Sequence, residues 1–235
     1  MKTALKGLVL LAVLSMGVMA FADVTVGNFD SGNCYPFMCN DSGTNSGQSI
    51  DYQQAYNSGK FSGATTINSI TWYYDQNDGG NPVAIGGTYS FFWGYSAVGL
   101  NLSGNLASNY NGAANFLGTA TIPVGGINDN PTLTLNGFTP FTYNPALGDL
   151  ILEIVVTNQD IVPNGSGNGY NQADYTGVDT LRAYCLTGFG CFSAVDGALR
   201  TTFGTGAAVP EPGTLVMMGS GVLGLAGILR RKINL

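Results

Sequence analysis

The carboxylates, the cysteines and a dense set of aromatic rings are the side chains from which a chemical site would have to be built here, because the chain contains no histidine. Without imidazole, a Ser-His-Asp triad, a Cys-His dyad and any histidine-ligated metal centre are excluded. A pair of carboxylates could still act, as in a glycosidase, where one of the two usually has a raised pKa. Aspartates could supply such a pair. Glu153 is the only glutamate before the C-terminal tail, and it lies within the apolar stretch Asp149–Thr157. A charge on the solvent face of an edge or half-exposed strand is the simpler account of it. Asp75-Gln76-Asn77-Asp78-Gly79-Gly80-Asn81 places oxygen ligands in an alternating pattern that suits calcium, but Gly86 stands where an EF-hand loop needs its glutamate. A turn explains the stretch without an ion, since Asn, Asp and Gly favour turns for backbone reasons. No phosphate loop or dinucleotide fingerprint occurs, because the glycines fall in turns with no helix following. No metal and no cofactor is expected.

Aromatic rings are the other handle. Trp72, Tyr73, Tyr74, Phe91, Phe92, Trp93 and Tyr95 cluster on two stretches of strand character. An exposed aromatic face stacks well against sugar rings. Alternation along a strand must turn half of these side chains inward, so Trp72 and Tyr74 are expected in the core, and one of Tyr73, Phe92 or Tyr95 on the surface.

Elements to hold such residues are β almost throughout. Short runs rich in β-branched and aromatic residues recur between clusters of Gly, Asn, Asp and Pro. They predict strands at Val24–Phe29, Ile50–Tyr56, Thr65–Asp75, Thr88–Val98, Asn115–Ile122, Thr132–Leu135, Asp149–Thr157, Thr180–Leu186 and Leu199–Phe203. Asp149–Thr157 is the most apolar and belongs at the centre of a sheet. Gln76–Pro82, Gly125–Pro131 and Pro163–Gly169 are turns or loops. No segment of this region has helical periodicity and no repeat period is present, so the expected fold is all-β, a two-sheet antiparallel β-sandwich of jelly-roll type.

The ends differ in kind from the middle. Met1–Ala22 has Lys2 and Lys6, then an apolar run from Leu8 to Val18, then Ala20-Phe21-Ala22 as a small-x-small cleavage site. That is a secretory signal peptide, with Asp23 as the first mature residue. The other end, 209–235, reads Val-Pro-Glu-Pro, an uncharged apolar run from Gly213 to Leu229, and then Arg230, Arg231 and Lys232. The apolar run would form a transmembrane helix of about 25 Å, just long enough for a hydrocarbon core near 30 Å. The cations that follow it would stay on the cytoplasmic side and leave residues 23–208 exported as one domain. In that exported part Lys60, Arg182 and Arg200 stand against twelve aspartates and Glu153, three positive charges against thirteen negative, a net of minus ten. Nucleic acid and anionic lipid surfaces would be repelled.

Cys34, Cys39, Cys185 and Cys191 all fall in the exported part. An even number in an oxidising compartment suggests two disulfides, and the local pairs Cys34 with Cys39 and Cys185 with Cys191 are favoured over crossed pairings. Zinc is a poor alternative, since the spacings are not Cys-x-x-Cys.

The tail resembles a PEP-CTERM sorting signal, the tripartite tag of exported proteins in Gram-negative bacteria that make extracellular polysaccharide. Pro210, Glu211 and Pro212, the Gly-rich span, and Arg230, Arg231 and Lys232 carry the likeness. Prolines at 210 and 212 bar a helix and keep Glu211 in an extended segment that a peptidase can grip. The resemblance implies processing by a membrane-embedded exosortase after export by the general secretion machinery and signal peptidase. It also implies a membrane-anchored precursor, followed by residence at the cell surface or outside the cell. A segment of the form Pro-Phe-x-Tyr-x-Pro-x-x-Gly-Asp-Leu, here Pro140–Leu150, is similar to one in other exported proteins with this tail, and implies a β-sandwich and nothing catalytic. The expected function is that of a non-enzymatic surface or matrix protein associated with extracellular polysaccharide, as in a biofilm. Alternatives are a carbohydrate-binding module, marked by an exposed row of coplanar rings, and a divergent glycoside hydrolase using paired aspartates across a groove.

Overall fold

Alternating apolar and polar residues form strands wherever a neighbour accepts the backbone hydrogen bonds. A computed structural model describes residues 22–39, 49–75, 83–123, 127–128, 132–159 and 170–205. The expected signal peptide 1–22 apart from Ala22, the C-terminal tail with its expected span, residues 76–81 of the calcium-like stretch and the loop 163–169 lie outside the described residues. Among the described residues no helix is long and apolar enough to cross a membrane.

In chain order the strands are β1 (Val24–Val26), β2 (Ser31–Asn33), β3 (Ile50–Tyr56), β4 (Thr65–Tyr73), β5 (Val83–Ala84), β6 (Gly87–Tyr95), β7 (Asn115–Ile122) and β8 (Ile127–Asn128). They continue as β9 (Thr132–Leu135), β10 (Phe141–Tyr143), β11 (Leu150–Thr157), β12 (Asn171–Asp174), β13 (Thr180–Leu186), β14 (Gly190–Val195), β15 (Ala198–Leu199) and β16 (Thr201–Thr205). The described helices are three short 3₁₀ turns, Ser58–Lys60, Leu106–Asn109 and Pro145–Leu147. The described pairings are antiparallel. One sheet runs β1-β16-β4, with β9 and β10 sharing the far edge of β4; the other runs β14-β13-β3-β11-β6-β7. Smaller sheets are β15-β12-β2 and β5-β8.

The two larger sheets contribute to one core. Leu150, Leu152, Ile154 and Val156 of central strand β11 are buried in it. Trp72 of β4 stacks on Phe91 of β6 at 6.0 Å, and Trp93 stacks on Phe141 at 4.3 Å. The Tyr56 ring meets Phe203 edge on at 4.9 Å. Burying a large apolar side chain of this kind contributes about 1.5–3 kcal/mol, so these contacts join the sheets strongly.

One core-facing position is polar for a specific reason. Gln54, 1 % exposed, donates to the Leu199 carbonyl and accepts from the Leu199 N–H at 2.8 Å, so its amide stands in for a strand partner to β15. Tyr52 OH donates to the same side-chain oxygen at 2.8 Å. The Pro140–Leu150 segment is likewise architectural. Asn144 caps the Pro145–Leu147 turn, Tyr143 OH donates to Gly148 O at 2.7 Å, and Asp149 accepts from the Ser58 N–H at 2.8 Å.

Several expected strands differ in extent: Val24–Phe29 stops at Val26, where Gly27 turns the chain with φ 91°, and Thr65–Asp75 stops at Tyr73. Leu199–Phe203 is broken at Arg200, whose N–H donates to Gln172 O, leaving β15 and β16. The strand expected to run on to Val98 stops at Tyr95, because Ser96 and the residues after it turn back over the outer face of the six-stranded sheet. There Leu102 and Leu106 bury against Ala55, Ile151 and Ala183 in a second, small core.

Candidate functional site

That covering segment creates the most distinctive polar cluster in the described residues. Register places Glu153 opposite Gln53 and Val155 opposite Asp51, so Asp51 and Glu153 are diagonal neighbours on the outer face of adjacent strands. Gln53 donates to Glu153 Oε1 at 2.8 Å and to Leu106 O at 3.1 Å, and accepts from Asn109 at 2.8 Å. Tyr110 OH donates to Glu153 Oε2 at 3.1 Å. Tyr110 reaches this far because residue 94 is glycine: a Cβ there would come within 2.7 Å of the tyrosine ring. Glu153 is thus half-buried on a central strand with both oxygens engaged, rather than solvated on an edge. Asp51 lies within hydrogen-bonding reach of it, and Asp51 Oδ1 is buried without a partner. Burial first, and then the Glu153 charge, push Asp51 up to about 7. Burial and the same charge raise the Tyr110 hydroxyl far above its usual range, so it remains a donor. The cluster can hold and release one proton near neutrality. With the two carboxyls in contact, however, no sugar ring fits between them, whereas glycosidase carboxyls stand roughly 5–9.5 Å apart. Register and a loop bring Asp51, Gln53, Asn109 and Tyr110 together, and the lone carboxylate in Ile50-Asp51-Tyr52-Gln53-Gln54 is their only local sign in the sequence.

Trp72 and Tyr74, each 1 % exposed, lie in the core as expected, but Tyr73, Phe92 and Tyr95 are half-buried and none of them stands exposed, because each packs against a neighbouring side chain. Phe92 tilts against exposed Phe116, and Tyr95 accepts from the Asn144 N–H. Tyr35, Tyr184 and Phe192 form a row, but they stack face on face at 5.2 and 4.8 Å. Their faces therefore cover one another instead of offering a flat platform.

A different surface is regular. Thr25, Thr202, Thr71 and Thr134 stand in one cross-strand row over β1, β16, β4 and β9. Thr25 pairs with Thr202 at 2.6 Å and Thr71 with Thr134 at 2.9 Å, and Tyr73 OH lies 2.7 Å from Thr202. A further pair, Thr66 with Thr142, lies 3.0 Å apart on β4 and β10. These five strands contain no charged residue. The face is rich in hydroxyls at the roughly 4.8 Å spacing of strands, and the charge that borders it is the Arg200 guanidinium, 5.0 Å from the Tyr73 ring centre.

Cys34 is joined to Cys39 and Cys185 to Cys191. Among the described residues no three His, Cys, Asp or Glu side chains converge as metal ligands. Asp75, the one described member of the calcium-like stretch, is 5 % exposed, and its N–H donates to Tyr170 O.

Residues 208–232 match the family model of the PEP-CTERM protein-sorting motif. No curated protein and no solved structure matches the chain significantly.

Proposed function

We propose that this chain, which carries a PEP-CTERM protein-sorting motif, is an exported protein cut by an exosortase and then held at the cell surface or released. In this reading it serves an extracellular polysaccharide matrix and catalyses no reaction. The observation that carries the reading is the match at residues 208–232, which takes in Pro210, Glu211, Pro212, Arg230, Arg231 and Lys232. Signal peptidase would cut after Ala22, with Ala20 and Ala22 as the small residues it recognises and Asp23 as the new N-terminus. The span 213–229 would anchor the precursor until the exosortase acts. Two disulfides suit a compartment outside the cytoplasm.

The exported body is a jelly-roll sandwich. Reading β1, β3, β4, β6, β7, β9 with β10, β11 and β16 as eight successive strands, the sheet orders become first-eighth-third-sixth and second-seventh-fourth-fifth. Those are the two interleaved Greek keys of a jelly roll, with β13 and β14 added beyond the second strand. The threonine face is the surface best suited to an uncharged, hydroxyl-rich glycan, because its five strands offer rows of hydroxyls for hydrogen bonds and carry no charge of their own. A carbohydrate-binding module with an aromatic platform is less well supported, since the rings stack face on face.

The test is to replace Pro210, Glu211 and Pro212 together by alanine in the native cell. The expected result is a larger precursor that accumulates in the cytoplasmic membrane and disappears from surface and medium. An unchanged distribution contradicts the reading. Thr71→Asp with Thr202→Asp should release the exported protein from co-sedimentation with the cell's own polysaccharide, and undiminished co-sedimentation removes the threonine face from the account.

A further inference from the structure

A cavity of about 170 Å³ lies between the two larger sheets, at the side where β7 edges one sheet and β9 the other. Its origin is in the sequence of β7. Register sets Ala120 opposite Tyr89, so a small side chain of the edge strand stands beside a large ring of its neighbour, and both line the cavity. Space that a leucine or valine would fill is left open.

Phe37, Trp72, Tyr89 and Phe91 line the cavity, with Ile122 and Leu133 among its other walls. The rings form a connected set: Phe37 lies 4.9 Å from Trp72 and 5.6 Å from Tyr89, and Trp72 lies 6.0 Å from Phe91. The polar atoms of these rings are committed elsewhere. Tyr89 OH donates to Ile85 O at 2.8 Å, and the Trp72 indole N–H bonds the Tyr56 hydroxyl. The cavity opens to solvent on one side, and water inside it would find few polar partners, so an entering apolar group would displace weakly held water. Exposed Thr121 and Thr134 border the cavity, where a ligand's polar part could remain in solvent.

We infer that this cavity is a binding site for a single uncharged aromatic ring, either free or as the apolar end of a larger molecule. Aromatic walls favour a ring over an alkyl group of equal size, because edge and face contacts match the quadrupoles of the rings. The inference rests on the cavity alone and does not depend on the sorting signal.

The probe is toluene, added to the full-length protein in detergent and followed by thermal unfolding and by the shifts of the Ala120 and Ile122 methyl resonances. Toluene should raise the unfolding midpoint saturably and move both methyls, whereas cyclohexane should bind at least ten-fold more weakly. Ala120→Leu should fill the space and weaken toluene at least ten-fold while the protein stays folded. Leu133→Phe, entering from the opposite wall, should do the same and serves if Ala120→Leu does not fold. Absence of any toluene response, or toluene binding undiminished in the folded variants, overturns the site. Equal binding of cyclohexane overturns its assignment to an aromatic ring.

Discussion

Replacing Asp51 by asparagine should stabilise the exported domain at alkaline pH and lose that advantage in acid. In the fold, burial and the adjacent Glu153 hold Asp51 at about 7, against an ordinary value of 3.8. The folded state therefore favours the neutral carboxyl. That preference supports folding fully below about 3.8 and is lost as pH rises through about 7, above which the fold carries a half-buried second anion. At 1.36 kcal/mol per pH unit the difference corresponds to roughly 4 kcal/mol, and solvent access to a half-buried group reduces this to on the order of 2 kcal/mol. Asparagine occupies the same space and bears no charge at any pH. Urea unfolding followed by tryptophan fluorescence, from pH 4 to pH 9, should show Asp51→Asn about 2 kcal/mol more stable than the parent at pH 8.5 and equal to it near pH 4. Glu153→Gln should flatten the parent's pH dependence in the same direction by removing the neighbouring charge. A variant no more stable than the parent at pH 8.5, or one whose advantage grows as pH falls, refutes the reasoning.

Other substitutions probe other parts of the fold. Gln54→Leu should cost about 2–4 kcal/mol in urea unfolding despite added apolar surface, because the Leu199 N–H and carbonyl and the Tyr52 hydroxyl lose their shared partner. Trp72→Ala, which empties the ring contacts with Phe37 and Phe91, should cost about 3–5 kcal/mol by the same assay. Cys34→Ser with Cys39→Ser should lose about 2 kcal/mol, the loop-entropy value for so short a closure, and leave the unreduced Cys185–Cys191 bond detectable by mass. Lys60→Ala removes the only ion pair among the described residues, to Asp179 at 2.7 Å, and should change stability by less than about 1 kcal/mol because Lys60 is exposed.

Strands whose own composition favours extension were legible in the sequence. Ile50–Tyr56, Asn115–Ile122, Thr132–Leu135 and Thr180–Leu186 have the same limits in the structure as in the pattern. Asp149–Thr157 occupies the central place its apolarity demands, from Leu150 onward. Strands made by their neighbours were not legible. β12 reads Asn-Gln-Ala-Asp and β2 reads Ser-Gly-Asn, turn compositions that become strand because β2 pairs with β12 and β12 also pairs with β15. The Asp51–Glu153 cluster depends on the register between β3 and β11 and on a loop that brings Tyr110 across Gly94, none of which leaves a local pattern. The cavity has the same origin: Ala120 looks like an ordinary strand residue until Tyr89 is set opposite it. The threonine row likewise needs four strands from distant parts of the chain in one register.

Processing at the C-terminus is tested most directly by the intact mass of the protein recovered from surface and medium of its native cell, without reduction. The predicted species begins at Asp23, ends near Glu211 and is four hydrogens lighter than its reduced form, with or without an added glycan. A species that retains Arg230 to Leu235 and stays in the membrane contradicts sorting and would make the tail a permanent anchor.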